Sequence, residues 1–379
     1  MTKAWPITLS DLGWLLAGIL LLFCHVNTIQ ANEVSGFDKT WATATLYDEP
    51  EKTSFKSFKL TGRLQAEAAS FHGDVSNYDD ILWRRFRFGF KSDITQSLTV
   101  HLEAAFDLNN PDQYYSKLTD ANIGWKIDRN WLLKMGKSSA GFTLDGATSS
   151  TKLLTLQRNN ITNNLWYTQE YWTGLSLASK DIDGWSYKAG VFSSEDNEEF
   201  SHFNAGFFSL LSAQRSFQNR NPNIKTSLRL DYIYNNEDQN SDTAKFGQIL
   251  TLAGKHEHEN WGVWTDLSAG KGFDGQSDLW GLSAMPFYNT SPRTQLLARF
   301  TYMESQHANG IKSGRYEKEL SEGKGDRYRE YYAGFNVFFY GHKLKWQTGI
   351  QNSTMKDKAN DGGGYDNSWG ATTGIRIYW

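Results

Sequence analysis

The stretch Trp83-Arg84-Arg85-Phe86-Arg87-Phe88-Gly89-Phe90-Lys91 sets cations and rings in alternation. In an extended chain successive side chains point to opposite faces. Arg85, Arg87 and Lys91 therefore share one face, and Phe86, Phe88 and Phe90 the other. Guanidinium groups repeated along one face offer bidentate donors to oxyanions, and each handover between neighbours spares the ion full rehydration. Arg63, on the polar face of the preceding run Leu60–Ala68, adds to the same array. Glu103, Asp107 and Asp120 fall on the polar faces of the next two runs. Fixed charges of both signs across a narrow passage make a transverse field that orients polar solutes. The competing reading is a solvated wall whose charges only keep it wet. Arg84 falls on the apolar face, and the alternation predicts it near a strand end, where its head can reach water.

Other chemistry has weaker support. His101 and Glu103 share a face, so a base and its orienting acid are conceivable, yet no serine nucleophile lies convincingly near them. His256 and His258 in "HEHEN" could begin a metal site but lack an evident third ligand. "DNEE" at 196–199 and "NDGGGYD" at 360–366 carry oxygen ligands without EF-hand spacing and read as outer loops. Neither a cofactor nor a resident metal is expected. Inward rings such as Trp264, Phe192 and Tyr332 would suit sugar stacking, but they are scattered and do not form a file.

The elements that must position these residues repeat at period two from Lys59 onward. "LTGRLQAEA", "LTVHLEAAFDL" and "IKTSLRLDYIY" each place polar and apolar residues on opposite faces, and sixteen such runs follow one another without a convincing amphipathic helix. Connectors alternate in length: "SDITQS", "DRN", "DIDG" and "GH" are interleaved with long ones such as 72–80, Ser138 to Trp166, 193–201, 305–327 and 355–367. Short turns at one rim and long loops at the other predict a 16-stranded antiparallel up-and-down transmembrane β-barrel, all-β and water-filled. Aromatics at 15% with a mean hydropathy of −0.58 agree with a wet interior and a greasy exterior. The net charge of −3 argues against a nucleic-acid binder. The final run, "SWGATTGIRIYW", avoids an open edge by pairing with the first.

Residues 1–31 read as a secretory signal peptide: Lys3, then an apolar stretch from Trp14 to Cys24, then a small-residue site ending at Ala31. The only cysteine, Cys24, lies inside it, so the mature chain carries no thiol. Residues 32–58 are expected to form a periplasmic N-terminal segment and 59–379 the barrel, placed in the outer membrane of a Gram-negative-type cell.

"GRLQAEAASFHGD", "LWRRFRFGFKSDITQSLTVHLEAAFDLN" and "LKMGKSSAGFTLDGATSSTKLLTLQRNN" together resemble the phosphate-selective porin O/P family. The resemblance is carried by the early Gly-Arg strand, the double-Arg strand, and a "GK…F" strand leading into "TSS" and a Leu-rich run ending in Arg. It is good from about Lys59 to Leu177 and rests mainly on periodicity beyond. It implies a barrel, commonly trimeric, that conducts small hydrophilic solutes passively through the outer-membrane lipid. It also implies that the third long loop, here about Ser138 to Asn164, folds inward. Lys152 and Arg158 would then line a constriction, with Lys134 and Lys137 on the strand before it. These two lysines differ by an odd number, so an unbroken strand cannot place both inside; a bulge at Gly136 would. Preference for anions, phosphate among them, is implied by the resemblance alone. The terminal Trp379 resembles the aromatic C-terminus of secreted barrels, which implies recognition by the barrel-assembly machinery.

Overall fold

Alternating side chains need one wet and one dry face, and a sheet closed on itself supplies both without leaving an edge. The computed structural model describes residues 36–167 and 170–379; the expected signal peptide lies outside the described residues. The first unit, ending at Thr43, contains a short helix Gly36–Ala42 with Asp38 in its first turn and Phe37 edge-on to Trp41. The second unit, Ala44–Trp379, contains all the strands among the described residues.

These are β1 Thr45–Asp48, β2 Ser57–Gly73, β3 Asn77–Asp93, β4 Leu98–Phe106, β5 Tyr115–Lys126, β6 Trp131–Ser139 and β7 Tyr171–Ser179. There follow β8 Trp185–Ser193, β9 Phe207–Phe217, β10 Lys225–Asn235, β11 Phe246–His258, β12 Trp261–Gly272 and β13 Leu279–Ser291. The last are β14 Thr294–Ser305, β15 Ile311–Lys312, β16 Lys324–Gly325, β17 Arg327–Tyr340, β18 Leu344–Lys356 and β19 Tyr365–Tyr378. β2 to β14 and then β17, β18 and β19 pair antiparallel in sequence order, and β19 pairs back onto β2, closing a 16-stranded barrel. β1 adds to the end of β2, and β15 with β16 forms a separate two-stranded ribbon in the β14–β17 connector.

The closing seam runs from Arg63 opposite Tyr378 to Gly73 opposite Ser368. Beyond it Gly62 and Trp379 exchange backbone hydrogen bonds at 3.3 Å each way. A Cβ on Gly62 would lie 2.3 Å from the Trp379 ring, so only glycine lets the terminal indole lie flat there.

Large apolar side chains stand exposed around the outside, among them Leu250, Leu267, Tyr331, Ile350 and Trp369, as a lipid-facing wall requires. No helix among the described residues is long and apolar enough to cross a membrane; the strands cross. Connector lengths alternate as the sequence predicts, with one correction. The expected long connector 72–80 is mostly strand, because β2 runs to Gly73 and β3 resumes at Asn77. The extended hairpin is stabilised by an apolar cluster of Phe71, Tyr316 and Leu320, with Tyr78 and Leu82 against it.

Candidate functional site

The charged wall is built where β2 meets β3. Arg63, Gln65 and Glu67 lie on one face of β2, and Gln65 and Glu67 are buried. On β3 the register shifts: Gln65 pairs with Arg85 but Ala66 pairs with Trp83, leaving Arg84 as the extra residue of a bulge. The bulge corrects the expectation for Arg84. Instead of facing lipid, it joins Arg85 on the charged side, within electrostatic reach of Arg315, Glu67 and Arg376. A guanidinium facing the hydrocarbon would be costly, and one added residue removes that cost.

Partners divide the arginines. Arg63 donates to Ser150 Oγ at 2.7 Å and meets Glu103 Oε1 at 3.2 Å. Arg87 lies 4.6 Å above the Tyr171 ring, donates to its hydroxyl and meets Glu170 at 3.4 Å. Arg376 donates to Gln65 Oε1, Glu67 Oε1 and the Leu156 carbonyl. Among the described residues, Arg85 donates only to the neutral Gln65 Oε1, at 3.2 Å, and the Nε of Arg84 is buried with no acceptor. These two keep the most donor capacity for something else.

Facing this wall is the connector 140–170, which carries two short helices, Leu144–Ala147 and Asn160–Leu165. Each has a side-chain cap: Thr143 Oγ accepts from Gly146 N at 3.2 Å, and Asn159 Oδ1 from Thr162 N at 2.8 Å. The irregular stretch between them exposes carbonyls that the strands satisfy. Lys345 donates to Leu153 O at 2.8 Å, Asn336 and Gln347 to Leu154 O at 2.8 and 2.9 Å, and Arg299 to Gln157 O at 2.9 Å. From other strands, Asp231 accepts from Thr143 N at 3.1 Å and Asp266 from Leu144 N at 3.0 Å. Leu144 and Leu154 pack with Trp264, Phe287 and Tyr332. Arg158 lies 4.6 Å over Trp166, donates to Asp145 O at 3.1 Å, and approaches Glu170 at 3.7 Å.

The family model for phosphate-selective porin O and P matches residues 58–288. The chain belongs to this family. Among solved structures it is similar to Salmonella typhi OmpF in complex with daunomycin, at TM-score 0.61 and 14% identity over 88% of this chain and 100% of that one. An anion-selective porin from Comamonas acidovorans gives TM-score 0.55 at 11% identity over 85% and 99%. In-vitro folded OmpT of Vibrio cholerae in its trimer form gives 0.54 at 12% over 85% and 99%. A search by sequence of curated proteins gives no match. Family and fold make the molecule an outer-membrane porin, a channel for passive diffusion.

In this porin the other predicted residues take varied places. Lys91 is exposed opposite His101, and Lys152 is exposed in the 140–170 connector. Lys134 pairs across to Gly124 and Ser176. No register shift occurs at Gly136, despite its φ of 117°, so Lys137 does not share a face with Lys134. Its amine is instead used by the carbonyls of Asn197 and Glu198 in the β8–β9 connector. Glu103 is buried between Arg63 and Thr119 Oγ1. Asp120 meets His101 Nδ1 at 3.4 Å, so the histidine's acid partner is Asp120 and not Glu103. Asp107 corrects the expectation: β4 stops at Phe106, and Asp107 caps an exposed turn by accepting from Asn109 N at 2.9 Å. No three-ligand metal cluster occurs among the described residues. The candidate sugar-stacking rings are covered: Trp264 and Tyr332 pack against the connector's leucines, and Phe192 against Phe208 and Trp172.

Sequence reasoning missed Glu170, Arg315, Arg299 with Glu330, and Lys345. Arg299 and Glu330 pair at 2.7 Å from adjacent strands, and alternation could have found them. Glu170 and Arg315 come from connectors, where no periodicity marks direction.

Proposed function

We propose that this porin favours anions, and that the β2–β3 wall gives the preference. The observation that carries the reading is the charge balance at one place. Arg63, Arg84, Arg85, Arg87, Arg158, Arg315 and Arg376 are seven guanidinium groups met by four carboxylates, Glu67, Glu103, Asp120 and Glu170, within reach. An excess of fixed positive charge in a partly dehydrated passage raises the local anion concentration and exchanges ion hydration for guanidinium donors. Phosphate fits as a small oxyanion with several acceptor oxygens. The connector 140–170 serves as the constriction, placing Arg158 and Lys152 beside the path. Lys91 and Lys134 extend the positive surface beyond it, while Glu103 and Asp120 hold neighbouring cations and the histidine in place.

On this reading the chain carries out no catalysis. It is exported by residues 1–31, keeps 32–58 in the periplasm, is delivered through its terminal Trp379 to the assembly machinery, and works as a homotrimer. The solved Vibrio cholerae OmpT in trimer form supports the last point by likeness of fold.

Planar-bilayer recording under a potassium chloride gradient tests the preference. The parent channel is expected to show a reversal potential of anion-preferring sign, and Arg85→Ala with Arg87→Ala to move it toward zero. A cation-preferring parent, or a double variant with unchanged potential, would defeat the proposal.

A further inference from the structure

We propose that Gln65 is a charge-selectivity determinant of this channel, because its amide holds two guanidinium groups in place without neutralising them. The proposal rests on the anion-preferring reading of the β2–β3 wall. Arg63, Gln65 and Glu67 share one face of β2, and their cross-strand partners form rows. Arg63 lies between Arg87 and Tyr378, and Gln65 between Arg85 and Arg376. In the Arg63 row each guanidinium has a carboxylate, since Arg63 meets Glu103 and Arg87 meets Glu170. In the next row the residue that touches both arginines is neutral. Gln65 Oε1 accepts from Arg85 at 3.2 Å and also from Arg376, while its Nε2 donates to the Tyr378 hydroxyl at 2.9 Å. Arg376 finds a countercharge elsewhere, in Glu67. Among the described residues, Arg85 has no acceptor but this amide.

A carboxylate is the ordinary occupant of a gap between two guanidinium groups, because its two oxygens match the donor fork and its charge offsets theirs. Glutamine has nearly the same shape and no charge. Its oxygen satisfies the donors, so they stay where they are, but their field is left standing. Gln65 and Arg376 are buried, whereas Arg85 is only half-buried. Gln65 is therefore a positioning residue whose influence on a passing ion acts through Arg85. Two further contacts fix the row. The Tyr378 hydroxyl that takes the amide N–H donates to Ser150 O at 3.1 Å, and Arg376 donates to Leu156 O at 2.8 Å. The amide is thus held between the closing strand β19 and the connector 140–170. A fixed positive charge without a paired anion is what concentrates anions in a narrow passage.

The test is the chloride-to-potassium permeability ratio of the full mature channel, read from planar-bilayer reversal potentials under a potassium chloride gradient. Gln65→Glu adds one negative charge at nearly constant shape, and Arg85→Gln removes one positive charge from the same row. Each is expected to lower the ratio by about fivefold or more, the effect of one unit charge a few ångströms away in watery surroundings. Gln65→Met, neutral and of similar volume, is expected to lower it far less. Parent-like heat-modifiable gel mobility and a melting temperature no lower than the parent's identify Gln65→Glu as assembled; if it does not assemble, Arg85→Gln carries the test, and an unchanged ratio there overturns the proposal. A ratio unchanged in assembled Gln65→Glu, or lowered as much in Gln65→Met, would overturn it too, while a response to Arg85→Ala with Arg87→Ala would leave the arginine wall standing. A cation-preferring parent would overturn both this proposal and the reading beneath it.

Discussion

Burial alone would push the Glu170 carboxyl up, but Arg87, Arg158, Arg85 and Arg63 outweigh it and hold it well below the usual carboxylate range. It therefore stays ionised wherever the porin works, and its stabilising contribution is lost only as pH falls through that depressed value. One carboxylate thus quiets part of an otherwise uncompensated field. Replacing it by Glu170→Gln leaves Arg87 and Arg158 without their shared anion. Breaking a buried pair from one side costs on the order of 3–5 kcal/mol. We expect this variant to melt at lower temperature in detergent and to show a reversal potential shifted further toward anions. A shift toward cations would contradict the role given to the arginine wall.

At the scale of elements, the connector between β14 and β17 has its own pH dependence. Glu317, on a short 3₁₀ turn there, is buried and faces Glu330; desolvation and that neighbouring charge push its carboxyl up to about 7 from its ordinary 4.5. It accepts from Tyr328 at 2.8 Å and from Gln351 at 3.0 Å. Between these two values the seated connector binds more protons than a released one, so seating weakens as pH rises across that window. Corrected for the intrinsic pH dependence of amide exchange, the protection of residues 306–326 is expected to be higher at pH 5 than at pH 8, and Glu317→Gln to keep the high protection at pH 8. Equal protection at both pH values in the parent would refute this coupling.

The strands and their order were legible because alternation is a strong signal repeated sixteen times, and the seam followed from Trp369 to Trp379 needing a partner. Alternation also misplaced Arg84, since a bulge adds a residue without any change in composition. It carried Asp107 one residue past the end of its strand. The connectors were legible only as lengths. Their contacts are backbone carbonyls, identical in every residue type, so nothing in "TKLLTLQ" says that Lys345, Arg299 and Asn336 would claim them.

Across the whole molecule, closure of sixteen strands leaves the exterior apolar and concentrates charge inside. If the assembly is a homotrimer of mature chains, an unheated SDS gel should show a high band that heating converts to monomer, with an intact mass beginning at Asn32. A single band of unchanged mobility would argue against trimer and barrel alike.

The residues that hold the carbonyls of Leu153, Leu154 and Leu156 are Asn336, Lys345, Gln347 and Arg376, all on the final three strands. Residues 140–170 therefore emerge long before their partners exist. Until these last three strands dock, those oxygens lack their strand donors. Sealing the cylinder and seating this connector become one event, so a chain cut short near its end would lack both and present assembly with an unfinished object that is easy to reject.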